Sequence, residues 1–211
     1  MRLTRTAAMG AFTAGLLCAS SGVAPVRAGV QAAAPVASAT PAPAAQAQGP
    51  QSAEASAATD GLFGGYAGEW SDVTAQIDQL AGAFPQEKYS WRPAEGVRST
   101  SEVLMHIARA NYLLLEWAGQ GTMPEALRPQ TSEKTITAKA DVISWLKQSQ
   151  AAVEKAHAAA TPAVLAKKID VQGRHTTVGD VYLRILVHNN EHMGQLTGYA
   201  RMNGVVPPWT L

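Results

Sequence analysis

Four stretches in the C-terminal part of the chain repeat apolar side chains at intervals of three and four residues, which is the spacing of one helical face. In the first stretch, Trp70, Val73, Ile77 and Leu80 share such a face, and Pro85 ends the pattern. The four patterns together predict helices over residues 63–84, 100–118, 138–160 and 177–203.

Helix breakers and caps separate these predicted helices. A long connection, PQEKYSWRPAEGVRS, joins the first two, and its Pro93 and Gly96 oppose helix formation. Ser99 or Thr100 is a suitable N-cap for the second helix. Segment 167–176 is expected to form a small hairpin or no regular structure. Four helices of about 20 residues without a convincing strand predict an all-α fold, an antiparallel four-helix bundle with a long connection between helices 1 and 2.

The N-terminus has the pattern of an export signal. Arg2 and Arg5 precede an apolar stretch over 7–19, and the sequence VRA at 26–28 places small residues where a signal peptidase cuts. This pattern predicts a signal peptide over 1–28 and therefore an exported protein, periplasmic or secreted. The apolar stretch is shorter than the about 20 residues of a membrane span. An uncleaved N-terminal membrane anchor is the alternative, and no integral membrane segment is expected after cleavage.

A compositionally biased segment follows the predicted signal. Residues 29–59 consist almost entirely of Ala, Pro, Gln, Ser, Gly, Val and Thr, and Glu54 is their only charged residue. Such a segment has too few large apolar side chains to offset the conformational entropy lost on folding. We therefore predict a disordered Ala/Pro-rich linker over 29–60 and a folded domain over 61–211.

Charge and cysteine content narrow the range of functions. The net charge is +1 and only 16% of the residues are charged. Because this leaves no basic excess for phosphate contacts, we expect no nucleic-acid partner. The only cysteine, Cys18, lies inside the predicted signal peptide. A mature protein without it would have neither a cysteine nucleophile nor a cysteine metal ligand.

Histidines carry the main chemical signal of the sequence. His188 and His192 lie four residues apart in the fourth predicted helix, which puts their rings about 40° apart and about 6 Å apart along the axis. Both can then reach one metal ion, and a third ligand from a facing helix would leave a position open, as in catalytic zinc sites. His106, on the apolar face of the second helix, is the candidate. On spacing alone, a metal site is no more favoured than its alternatives, which are a chance histidine pair in α-helical spacing and a structural histidine in the core.

The run HNNEH at 188–192 also fits the H-x-x-E-H pattern of inverted zinc peptidases, in which the glutamate is a general base. Those enzymes take a further acidic ligand downstream, but no Asp or Glu follows Glu191 in this chain. We therefore reject that family. Glu191 keeps two interpretations, a base or hydrogen-bond acceptor beside the metal, or a solvated helix carboxylate. His157 and His175 do not share the pattern and are expected at the surface.

Two stretches, PQEKYSWRPAEGVRSTSEVLMHIARAN and HNNEHMGQLTGYARMNGVVPP, resemble the DinB-like (DinB/YfiT) superfamily of bacterial proteins. The resemblance implies a four-helix bundle with a three-histidine metal centre, one ligand coming from the second helix and two from the fourth. The matching positions here are His106, His188 and His192. It implies one divalent transition metal (zinc, nickel or iron-like), and because members are often dimers, it allows a homodimer.

Some members of the superfamily that the chain resembles are thiol-dependent transferases or hydrolases acting on small molecules, and many have no known activity. Three hypotheses follow: a metal-dependent hydrolase or group transferase, a non-catalytic exported metal- or ligand-binding module, and a scaffold without metal. Around the centre, Trp91 and Pro93 are expected to fix the connection over the bundle end. Tyr89 and Trp91 are candidates for capping the metal pocket, and Gln195 is close enough to contact His192. Gly194 and Gly198 are expected at a close helix contact.

Overall fold

The structure is a computed structural model that describes residues 64–210. The signal peptide predicted over 1–28, the linker predicted over 29–60 and the start of the predicted domain lie outside the described residues. Those three assignments therefore stay predictions. Within the described range, no helix is both long enough and apolar enough to cross a membrane.

Helices dominate the described part of the chain, and the predicted all-α four-helix bundle is confirmed. The bundle consists of four long helices whose ends fall within two residues of the predicted ones, at α1 (Gly65–Ala83), α2 (Thr100–Trp117), α4 (Lys139–Ala159) and α6 (Val178–Met202). Shorter elements lie between them, namely α3 (Ser132–Thr135), α5 (Pro162–Leu165) and an antiparallel hairpin of β1 (Lys168–Val171) and β2 (Arg174–Thr177). Of the two alternatives predicted for segment 167–176, a small hairpin or no regular structure, the structure shows the hairpin.

The two helices that carry the histidines both begin with a capping box. At the start of α2, the Ser99 hydroxyl accepts from the Glu102 backbone N–H and the Glu102 carboxylate accepts from the Ser99 N–H at 2.9 Å. Thr177 and Asp180 make the same reciprocal pair at the start of α6. Each box satisfies backbone donors that a helix start otherwise leaves unpaired. The histidine-bearing helices are therefore defined at their N-termini by local sequence.

Each of α1 and α2 packs against both α4 and α6. The α1–α4 pair is antiparallel, because Lys139 at the start of α4 donates Nζ to the Gly82 carbonyl near the end of α1 at 2.7 Å. At the opposite ends, Tyr66 of α1 stacks on His157 of α4 with ring centroids 3.9 Å apart. Lys139 thus caps carbonyls that the last turn of α1 leaves without helical partners.

α2 and α4, by contrast, run in the same direction. Near their middles, Asn111 Nδ2 donates to Ser149 Oγ at 3.2 Å. Nearer their C-termini, Leu115 and Ala159 line one cavity. The connection over 118–138 must therefore return along the length of the bundle instead of forming a tight turn. That return brings α3 alongside the N-terminal half of α2.

A buried polar network fixes the rotation of α6 in the bundle. Asn189 Nδ2 donates to Asn111 Oδ1 at 2.8 Å, and Asn111 in turn donates to Ser149. All three side chains are fully buried, where unpaired amides would cost free energy, so the network specifies one register for three helices. Asn111 therefore lies in the core instead of at the metal pocket or in water. Because His188 precedes Asn189, the same network sets its direction.

The structure corrects one of the surface predictions and confirms another. His175 has a side chain that is 94% exposed, as predicted. His157 is half-buried, and it packs face-on against Tyr66 and edge-on against Tyr182, with centroids 5.0 Å apart in the second contact. Burial lowers the pKa of His157. The prediction failed because helical spacing placed His157 near a helix end without showing which aromatic rings would cover it.

The close helix contact predicted for Gly194 and Gly198 is not made within residues 64–210. A methyl group added at either position would meet no atom within 4 Å beyond the helix's own backbone.

Candidate metal centre

α2 and α6 bring the three predicted histidines together. His188 Nε2 lies 3.2 Å from His106 Nε2 and 3.2 Å from His192 Nε2. All three ligand atoms lie within 4.8 Å of one another. His106 reaches the cluster from α2, and the four-residue spacing on α6 presents the other two rings side by side. The structure thus brings together the three histidines that the sequence predicts as metal ligands.

These distances fit a bound transition metal. Nitrogen ligands about 2.0–2.1 Å from a tetrahedral ion lie about 3.3 Å from one another, close to the 3.2 Å separations found here. Three converging imidazole nitrogens without an ion would crowd their lone pairs. Imidazole suits zinc, nickel, copper and iron. The residues present therefore fit a divalent transition metal, and the donor set favours no single one of these ions.

Glu133 orients His106. The carboxylate is 6% exposed, and its Oε1 accepts from His106 Nδ1 at 3.0 Å. Its Oε2 accepts from Arg98 Nε at 3.2 Å. Burial alone would raise the pKa of Glu133, but the hydrogen bond from His106 and the nearby positive charge of Arg98 lower it overall. An ionised carboxylate only accepts, so His106 carries its proton on Nδ1 and turns the Nε2 lone pair towards the centre.

Glu133 was not identified from the sequence. It sits in α3, a single helical turn within a connection that shows no extended apolar pattern, 27 residues from His106. A carboxylate behind a ligand histidine is a common arrangement, but the chain has 16 acidic residues. Nothing in their spacing distinguishes this one. Only the return of the connection along α2 places it beside His106.

A second hydrogen-bonded chain orients His192. Gln195 Oε1 accepts from His192 Nδ1 at 2.8 Å, so the predicted contact is confirmed. Gln195 Nε2 donates to the Tyr199 hydroxyl at 2.9 Å, and that hydroxyl donates to the Arg98 carbonyl at 3.0 Å. This last bond joins the end of α6 to the residue before Ser99, so α2 and α6 run antiparallel. Like His106, His192 is held with its Nε2 directed at the centre.

The two aromatic candidates of the connection have structural contacts. Tyr89 is fully buried and its hydroxyl donates to the Ala81 carbonyl at 2.8 Å. Trp91 packs edge-on against Tyr199, with centroids 5.3 Å apart. Trp91 thus supports the hydrogen-bonded chain to His192, whereas Tyr89 anchors the connection to α1. Neither contact places a ring over the histidines.

His188 is the most enclosed of the three histidines. Burial, followed by the neighbouring His192 and His106, lowers its pKa to about 3. Burial likewise lowers the pKa of His192. Both rings are therefore neutral near pH 7, which is the form that binds a metal. The His188 Nδ1 atom is buried and has no hydrogen-bond partner within residues 64–210.

Glu191 lies at the surface of α6. Its side chain is 52% exposed and both carboxylate oxygens accept from the Arg184 guanidinium, at 3.1 and 2.7 Å. No hydrogen bond joins it to any of the three histidines in the described part of the chain. Of its two interpretations, the structure places it as an ion-paired surface carboxylate. The acidic residue that contacts a ligand histidine is Glu133.

Comparisons with known proteins agree with this architecture. The family described as the DinB superfamily matches residues 69–196, more than half of the chain and a range that includes all three histidines. A DinB-like protein from Bacillus cereus ATCC 10987 aligns with a TM-score of 0.61 and 21% identity, over 69% of this chain and 95% of that chain. A DinB-like protein from Bacillus subtilis aligns with a TM-score of 0.54 and 21% identity, over 66% and 91%. No curated protein matches the chain. The structural likeness concerns the fold, and the family match over most of the bundle shows that this chain belongs to the DinB superfamily.

Proposed function

We propose that the protein binds one divalent transition metal through His106, His188 and His192 and acts as a metal-dependent hydrolase or group transferase on a small molecule. The observation that carries the proposal is the convergence of three Nε2 atoms, two of them 3.2 Å from the third. Support comes from two hydrogen-bond acceptors that hold a histidine proton on Nδ1: Glu133 accepts from His106, and Gln195 accepts from His192.

Each residue of the centre has a defined task in this proposal. The three imidazoles hold the ion, and Glu133 and Gln195 keep two of them from rotating. Three protein ligands leave a coordination position for a substrate group. Such an ion supplies Lewis acidity and makes a group coordinated at that position more acidic. The His106 side chain is 22% exposed, so a small molecule can approach the centre from the surface of the bundle.

A neighbouring cavity favours a second candidate function, a non-catalytic exported metal- or ligand-binding module. The cavity measures about 430 Å³ and is lined by Arg98, Glu102, Gln130, Thr131, Glu133 and Lys134. It contains the carboxylate that holds His106, but none of the three histidines. A small molecule bound there would contact Glu133 instead of the open position of the metal. Ligand binding would then change metal affinity without any turnover.

Metal analysis of the purified full chain tests metal binding, which both candidate functions require. We expect about one transition-metal ion per chain and its loss in His188→Ala. His175→Ala is the matched control, because that side chain is exposed and lies outside the centre. Full metal content in His188→Ala would refute the proposed centre.

Activity measurements then separate the two candidates. Metal-loaded protein is assayed with panels of esters, amides and thiol conjugates, and any turnover must disappear on chelation and return when the ion is restored. Turnover that survives complete metal removal would contradict the proposed enzyme. Absence of turnover, together with ligand binding that Lys134→Ala weakens, would favour the binding module.

The proposed location outside the cytoplasm rests on the export pattern at residues 1–28. N-terminal sequencing of the protein recovered from its natural compartment tests it. We expect a mature chain that begins after Ala28. An intact N-terminus in the membrane fraction would favour the uncleaved anchor, and an intact N-terminus in the cytoplasm would contradict export.

A further inference from the structure

The cavity of about 430 Å³ beside the metal centre is lined only by polar and charged residues. Its volume lies within the range of about 300–1,000 Å³ that small-molecule sites occupy. Glu102 and Glu133 contribute two carboxylates to the wall, and Arg98 and Lys134 contribute two positive charges. We call this space the Arg98 cavity. The kind of molecule that it accepts depends on which of these charges already have partners in the fold.

Both carboxylates of the Arg98 cavity are paired with donors of the chain. Glu102 accepts from the Arg92 guanidinium at 3.1 Å and from a backbone N–H at the start of α2 at 2.9 Å. Glu133 accepts from His106 at 3.0 Å and from Arg98 at 3.2 Å. Because the fold itself compensates these two carboxylates, neither leaves a free negative charge that would attract a cationic ligand.

The two cations of the cavity, in contrast, keep unused donors. A guanidinium carries five N–H groups, and the hydrogen bond from the Arg98 side chain uses Nε alone. Its two Nη nitrogens make no hydrogen bond or ion pair with residues 64–210. The Lys134 ammonium has no such partner in that range either, and its side chain is exposed. The Arg98 cavity therefore offers positive charge that no carboxylate of the described chain satisfies.

The free donors suit an oxyanion. Glu133 fixes the Nε of Arg98, which limits rotation of the guanidinium plane, and a planar guanidinium can donate two parallel hydrogen bonds to a carboxylate or phosphate. The Lys134 ammonium adds a donor without a fixed direction. Gln130 and Thr131 complete the wall. Their side chains make no hydrogen bond within the described range, so they are available to other polar groups of the same molecule.

Arg98 also joins the cavity to both chains of hydrogen bonds that orient the ligand histidines. Its side chain holds Glu133, the acceptor for His106. Its carbonyl accepts from the Tyr199 hydroxyl at 3.0 Å, at the end of the chain that begins at His192. Besides burial and the neighbouring His106, the charge of Arg98 lowers the pKa of His192. A molecule bound to Arg98 is therefore placed beside the metal centre.

We propose that the Arg98 cavity is an anion-binding subsite, in which Arg98 and Lys134 hold a carboxylate or phosphate group of the small molecule on which the centre acts. The inference rests on the proposed function only in treating the bound molecule as the substrate, because anion binding itself requires no turnover. A neutral molecule would leave the Nη donors and the ammonium without an acceptor. It should therefore bind more weakly than an anion of the same shape.

Titration of the zinc-loaded full chain with small anions tests the subsite. Succinate and inorganic phosphate are the probes, and neutral succinamide is the matched control molecule. Sodium chloride keeps the ionic strength constant, because salt screens such contacts. We expect saturable binding of an anion, with shifts of backbone NMR signals around Arg98 and Lys134. Absence of anion binding at the cavity, or succinamide binding as tight as that of succinate, would overturn the proposal.

Variants that remove one charge locate the bound anion. Lys134→Ala should weaken anion binding about two- to fivefold, as for an exposed ion pair. Arg98→Gln should weaken it about tenfold or more, because a pair of charged donors is lost. Lys147→Ala is the matched control, an exposed lysine of α4 outside the cavity, and should leave the affinity unchanged. Anion binding of wild-type strength in both Lys134→Ala and Arg98→Gln would refute the assignment.

Metal content and kinetics distinguish this inference from the proposed function. Uptake of one ion without anion binding would refute the subsite alone, whereas anion binding by a chain that takes up no ion would refute the metal centre alone. Where the panel shows turnover, Lys134→Ala should raise KM for an anionic substrate and change kcat little, as expected for loss of a binding contact. Turnover of neutral substrates alone, unaffected by Lys134→Ala, would contradict the anionic substrate class.

Discussion

Replacing Glu133 by alanine removes the carboxylate that holds His106 in place. Glu133 is 6% exposed and accepts from His106 at 3.0 Å and from Arg98 at 3.2 Å. Without it, the His106 ring is free to rotate and to adopt the other tautomer, whose protonated Nε2 does not bind an ion. The change therefore acts on metal affinity through a residue that does not touch the metal.

The size of the effect follows from the contact that is lost. Removing a carboxylate that orients a ligand histidine weakens metal binding about 10–100-fold, which corresponds to about 1.4–2.8 kcal/mol. A hydrogen bond to a charged group contributes about 1.5–3 kcal/mol, in the same range. Glu133→Gln keeps an oxygen that accepts from His106 but loses the negative charge. We therefore expect a smaller loss of affinity for Glu133→Gln than for Glu133→Ala.

Competition against a chelator of known affinity measures the dissociation constant of the metal in each variant. Glu125→Ala is the matched control, because Glu125 belongs to the same connection, has a 91% exposed side chain and, within residues 64–210, pairs with Arg128 alone. Circular dichroism establishes that each variant is folded. Metal binding by Glu133→Ala that is as tight as binding by Glu125→Ala would refute the role assigned to Glu133.

Three further predictions concern the stability of the metal-free protein. Asn189→Ala leaves the buried Asn111 Oδ1 without its donor and should cost about 1–3 kcal/mol in urea unfolding. The folded state keeps His188 neutral down to a pKa of about 3, whereas the unfolded chain protonates it near 6.5. The unfolded state therefore binds more protons between these values, and stability should fall as the pH is lowered through this window. Lys139→Met removes two hydrogen bonds to carbonyls at the end of α1 and should lower stability by about 1–2 kcal/mol.

Each of these predictions has a control. Asn190→Ala, at an exposed position beside Asn189, should leave the stability nearly unchanged, and an equal loss in both would contradict the buried network. His188→Gln should make the stability of the metal-free protein less dependent on pH. An unchanged slope of stability against pH would show that other groups cause the dependence. Lys155→Met, exposed on the same helix as Lys139, should have little effect. An equal loss of stability in Lys155→Met would contradict the explanation that Lys139 stabilises the protein by capping α1.

The long helices were predictable because each buries one continuous face. The stripe that contains Val181, Ile185 and Tyr199 also contains His188, so the pattern located both the helix and the side of it on which the histidines lie. Periodicity identifies a buried face without naming its neighbour. The parallel course of α2 and α4 therefore could not be obtained from it.

The part of the centre that the sequence did not reveal depends on contacts distant along the chain. Glu133 belongs to one helical turn, which is too short to produce a periodic pattern, and it reaches His106 only because the connection returns along α2. The buried position of Asn111 was not predictable from the sequence either, since its partners Ser149 and Asn189 come from two other helices. Gln195, by contrast, was identifiable because its partner lies three residues away on the same helix.

Titration of the metal-free full chain with cobalt(II) tests the central claim most directly, because the visible absorption of this ion reports the number and geometry of its ligands. A centre formed by His106, His188 and His192 predicts saturation at about one ion per chain, with bands of a four-coordinate nitrogen and oxygen site. The bands should be lost in His188→Ala and retained in His175→Ala. Identical titrations of His188→Ala and the wild-type protein would contradict the three-histidine centre.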